Sequence, residues 1–148
     1  MSNTVRALAL AVMALSFGKT STADGGDSQA LLPEAAFRTY AQNYKDLALA
    51  SCIARAYSEE PKAAADAGAT AAGLDAAWTR YDPEKGSGEI ARLVDQYLAR
   101  QYHSIHGPEI RLDLMKCLDL YHSKELETLA ERLVVHPGRT YRQDTDTK

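Results

Sequence analysis

The 148-residue chain is short of several things that would point to a function. It has one tryptophan, two phenylalanines and two cysteines. Its longest unbroken apolar run, Ala7 to Leu15, is nine residues, about half of the roughly 18 to 20 a membrane-spanning helix needs. Basic residues are not in excess, with 17 Lys and Arg against 20 Asp and Glu. Without a basic stripe, nucleic acid is not an expected ligand. Strict apolar-polar alternation and β-branched clusters are missing too, so no strand is expected beyond a short extended piece near Val134. "KGSGE" lacks the preceding strand and the lysine placement of a phosphate-binding loop. His103 and His106 are spaced i, i+3 and followed by Glu109, but Gly107 and Pro108 interrupt the series and no HExxH completes it, so no metal or other cofactor is expected.

What is present begins with an export signal. Arg6 precedes the apolar run, small residues follow, and "STA" at Ser21 to Ala23 supplies small side chains at minus three and minus one. Cleavage after Ala23 is expected. It would leave 125 residues with 15 basic and 20 acidic side chains, enough for one domain with a real core. Residues 24–32 read as a flexible leader, 33–135 as a helical domain and 136–148 as a polar, fraying tail.

Within the domain the apolar spacing is helical. From Phe37, Tyr40, Ala41, Tyr44, Ala48, Leu49, Cys52, Ile53, Ala56 and Tyr57 recur at threes and fours, with Asn43 as a weak point, and Ser58 is the expected cap of the next helix. An alanine-rich stretch ends in Leu74, Ala77, Trp78 and Tyr81. "DPEKGSG", Asp82 to Gly88, has the composition of a turn-forming loop. The stripe resumes at Ile90, Leu93, Val94, Tyr97, Leu98 and Tyr102, breaks at "HSIHGPE", and returns as Ile110, Leu114, Cys117, Leu118 and Tyr121. A Ser123-capped segment with Leu126, Leu129, Ala130 and Leu133 closes the series. The expected fold is all-α, a single bundle of about five helices.

Both cysteines sit inside apolar stripes, where a thiol is buried and unreactive. An exported chain with an even cysteine count should join them, so a Cys52–Cys117 disulfide is expected. Paired acids such as Glu59 with Glu60 and Glu125 with Glu127 lie in first helical turns and complement the helix dipole. No residue set argues for an enzyme.

Taken in order, "KDLALASCIARAY", "WTRY", "IARLVDQYL" and "MKCLDLYHSKELETL" resemble the immunity proteins of type VI secretion amidase effectors, from about Tyr44 to Leu133. The resemblance implies a small periplasmic helical bundle, often a homodimer, that binds a cognate peptidoglycan amidase and blocks its active-site groove. The amidases concerned are papain-like cysteine hydrolases that cut between D-glutamate and diaminopimelate. The alternative is another periplasmic helical module: an adaptor, a chaperone or an inhibitor of a different hydrolase. The matching motifs are core helices, so contact residues do not transfer with them. Insertion into a cleft calls for a preorganised polar loop, and two segments qualify. Asp82 to Glu89 is favoured, with Tyr81 as aromatic anchor and Asp82, Glu84, Lys85, Ser87 and Glu89 as polar contacts. His103 to Glu109, with His103 and His106, is the other.

Overall fold

A computed structural model describes residues 33–146. The expected signal peptide and leader lie outside the described residues. Six α-helices follow a 3-10 turn at Glu34–Ala36: α1 Tyr40–Ala56, α2 Pro61–Gly73, α3 Pro83–Leu98, α4 Asp113–Tyr121, α5 Lys124–Leu133 and α6 Tyr141–Thr145. No strand forms among the described residues, and the all-α expectation holds.

Thr39 starts α1 with a reciprocal cap, its hydroxyl accepting from the Gln42 amide while Gln42 accepts from the Thr39 amide at 2.9 Å. The helix runs straight through Asn43, whose polarity suggested an interruption. Asn43 is instead buried with its side chain satisfied: Nδ2 donates to the Ala35 and Trp78 carbonyls, each at 2.7 Å, and Oδ1 accepts from Arg38 Nε at 3.2 Å. A buried carboxamide with full partners adds geometry at little cost. Here it ties the 3-10 turn and the end of the alanine-rich segment to α1.

α2 begins at Pro61 after Glu60, not under a Ser58 cap, with proline where a missing N–H has no intrahelical partner. None of its side chains is fully buried. It passes into a π-helical turn, Leu74–Trp78, where Leu74 enters the core. α5 is capped as expected, Ser123 Oγ accepting from the Leu126 amide at 3.1 Å.

The core gathers around α1. Tyr40, Tyr44 and Cys52 from that helix meet Val94, Cys117, Leu120 and Leu126, all essentially inaccessible. Cys52 and Cys117 are joined, so α4 is covalently fixed to α1. The extended piece expected near Val134 exists as a single bridge: Val134 opposes Tyr81, with Val135 N–H donating to the Arg80 carbonyl at 2.8 Å.

The chain beyond His136 departs from the expected tail. Thr140 caps α6, and Tyr40 N–H donates to the Arg139 carbonyl at 2.8 Å. Tyr141 packs edge-on against Trp78 with centroids 5.0 Å apart. Asp144 accepts from the Tyr40 hydroxyl at 2.8 Å and from Arg139 Nε at 2.6 Å. Polar composition hid these long-range partners. The Tyr40 hydrogen bond, followed by Arg139, holds the Asp144 carboxyl below its usual range. A depressed carboxyl contributes stability above the unfolded-state value, and loses it as pH falls through the folded-state value. α6 should therefore undock in acid, below about pH 4. Trp78 is the only tryptophan, so its emission reports the event. Asp144→Asn should flatten that acid transition, and equal transitions in the two proteins would remove Asp144 as the latch.

Candidate partner-binding surface

The favoured loop is a helix. Asp82 is the N-cap of α3, its carboxylate accepting from the Glu84 amide at 3.1 Å, and Pro83 occupies the first turn. Lys85 Nζ lies 3.3 Å from Asp82. Its hydrogen bond first, and then the Glu84 amide, depresses the Asp82 carboxyl. Glu84 and Lys85 are exposed in this first turn, and Ser87 follows in the second. Glu89 is half-buried, paired with Arg92 and, at 3.6 Å, with Arg132 of α5. Tyr81 is half-buried: its ring meets Tyr44 edge-on at 5.2 Å and its hydroxyl donates to Asp75.

Gly86 explains the misreading. A Cβ there would fall 2.1 Å from the Tyr81 ring, while Tyr44 donates to the Gly86 carbonyl at 3.3 Å. This glycine admits an aromatic ring and does not loosen a loop. Nothing lies within 4 Å of a Cβ at Gly88. Gly86→Ala should cost about 1–3 kcal/mol by overpacking, whereas Gly88→Ala should gain about 0.5–1 kcal/mol through helix propensity. Thermal melts of the two variants should move in opposite directions, and parallel shifts would refute the assignment.

The second candidate is a true loop, residues 99–112, between α3 and α4. His103 and His106 are both exposed on it, the His106 amide donating to Ser104 Oγ at 3.1 Å. Between them Ile105 is 94% exposed, more than any other large apolar residue described. The two candidates leave opposite ends of α3, about 24 Å apart for a helix of this length. They do not form one patch.

Ile110, Leu114 and Leu118 belong to the apolar stripe of the sequence, and the structure leaves them exposed. Leu114, Met115 and Leu118 are 46%, 48% and 37% exposed, while Cys117, Leu120 and the aliphatic stem of Lys116 face inward. α4 carries apolar side chains around most of its circumference, a pattern that marks either a fully buried helix or one facing a partner. That signal was available in the sequence. Ile105 and this face are both uncovered apolar surface.

These helices can be compared with known proteins. The family model described as "Type VI secretion system (T6SS), amidase immunity protein" matches residues 42–130. The chain belongs to that family. A solved structure from "New Type VI-secreted toxins and self-resistance proteins in Serratia marcescens" is similar to this immunity-family chain, at 30% identity with a TM-score of 0.72. The match covers 82% of this chain and 98% of that one. No curated protein matches. The family span of the immunity chain takes in both cysteines, all of α3 and the whole 99–112 loop. It leaves out the 3-10 turn and α6, the pieces that the Asn43 and Asp144 contacts bind to the rest.

Proposed function

We propose that this chain is a periplasmic immunity protein that catalyses nothing itself. It binds a type VI secreted peptidoglycan amidase and closes that enzyme's active-site groove with the 103–109 loop. The amidase is a papain-like cysteine hydrolase acting between D-glutamate and diaminopimelate, and the producing cell is protected because the groove is filled.

The observation that carries the choice of loop is the exposure of Ile105 between His103 and His106, at the tip of the one long irregular segment among the described residues. Such a tip reaches into a cleft, whereas Asp82 to Glu89, wound into α3, does not. His103 and His106 flank the apolar tip with donors and acceptors for the groove walls. The exposed α4 face is further apolar surface open to a partner. A disulfide between buried cysteines suits an oxidising compartment, and no helix among the described residues is long and apolar enough to cross a membrane. A homodimer is part of the proposal, and light scattering giving twice the protomer mass would support it.

Alkylation of the amidase's nucleophilic cysteine tests occlusion directly. The stoichiometric complex should resist a small haloacetamide that labels the free enzyme within minutes. A complex that forms tightly but labels at the free rate would overturn occlusion and leave only binding.

A further inference from the structure

Lys116 is 5% exposed, an unusual place for an ammonium. Its Nζ donates to the Leu98 carbonyl at 3.2 Å and lies 2.9 Å from Asp113 Oδ1, itself nearly buried. Leu98 is the last residue of α3 and Asp113 the first of α4. One nitrogen therefore joins the residue before the loop to the residue after it. The electrostatics agree at both contacts. A cation suits the free carbonyls at a helix C-terminus, and a carboxylate suits the first turn of a helix.

Other contacts tighten the same neck. Arg111 Nε pairs with Asp113 at 3.1 Å, Tyr102 donates to Asp119 of α4, and the Arg100 guanidinium lies 3.5 Å from the centre of the Tyr97 ring. Leu112, the cap of α4, has φ of 53°, a left-handed conformation uncommon for leucine. Closed at its base, the segment is an Ω-loop whose tip projects from a fixed mouth.

A buried ion pair is a poor source of net stability, because desolvation offsets most of the attraction and an apolar pair of similar volume commonly does as well. Its best-attested use is to specify one geometry. We propose that Lys116, acting through Asp113 and the Leu98 carbonyl, is the positioning residue that preorganises the loop for the amidase groove. This rests on the occlusion reading above. It extends that reading from the residues that touch the enzyme to one that touches only the loop's neck. Preorganisation raises apparent affinity in proportion to the fraction of molecules whose loop is already in the binding conformation.

The double variant Lys116→Met with Asp113→Leu removes the pair without stranding a buried charge, and Tyr102→Phe loosens the neck where neither partner is deeply buried. In the free double variant, backbone order parameters over residues 100–110 should fall from about 0.85 to below about 0.6, while those of α3 and α4 stay at the rigid value. Association with the amidase of the cell's own type VI system, purified with its nucleophile replaced, should slow about tenfold at an unchanged dissociation rate. Tyr102→Phe should move both readouts in the same direction by less. An unaltered loop in the double variant overturns the proposal, as does a loosened loop that associates at the wild-type rate. Ile105→Asp keeps the two ideas separate. If it binds like wild type, the occlusion reading fails and positioning fails with it. If it abolishes binding while the neck variants do not, positioning alone fails.

Discussion

Replacing Cys52 and Cys117 together with alanine lowers the unfolding free energy by about 4 kcal/mol, the chain-entropy value for a loop of this length. The two residues are 65 positions apart and both completely inaccessible. The bond encloses α2, α3 and the 99–112 loop, so the unfolded chain gains most of its freedom when it is absent. Folded domains of this size hold about 5–15 kcal/mol in total, and the loss corresponds to roughly 15 °C in melting temperature. Calorimetry with and without a reductant is the direct measurement. Oxidised and reduced melts within two degrees of one another, a spread of about 0.5 kcal/mol, would show that packing alone holds α4 to α1.

Ile105→Asp should weaken amidase binding by a hundredfold or more and leave the free protein's melting temperature unchanged. The isoleucine is almost wholly in solvent, so the fold loses nothing when it is replaced, and exposed positions of this kind move stability by about 0.5 kcal/mol or less. In the complex, burying it is worth about 1.5–3 kcal/mol. A carboxylate in the same apolar contact adds a desolvation cost larger than that of a neutral polar group. Titration calorimetry decides it. A dissociation constant within threefold of wild type would take the loop tip out of the interface.

Much of the fold was legible because its carriers are local. The i, i+3, i+4 recurrence from Tyr40 to Tyr57, the Ser123 cap and the even cysteine count act through neighbouring residues or compartment chemistry, and each led to the right element. Two of the misreadings share one cause, a residue whose partner is far away in sequence. Asn43 looked like a break because its acceptor at Trp78 is 35 positions on. The tail looked free because Asp144 answers to Tyr40, 104 residues earlier. Gly86 looked like a turn because the ring it admits sits before the helix starts. For the candidate site, the two segments were found by composition, but composition did not show that Pro83 opens a helix through Asp82 to Glu89. The outward face of α4 was missed because periodicity marks an apolar stripe without saying what covers it.

α2 is held by its length along α1 and not by deeply buried side chains. It buries no side chain completely, and its helical hydrogen bonds are shielded mainly by alanine methyl groups. Its hold on the domain is a long packing face against α1 made of small side chains. Both its ends return to α1 and α3 inside the covalent ring closed by Cys52 and Cys117. The closed ring therefore limits how far α2 can move from α1 even in a partly unfolded chain.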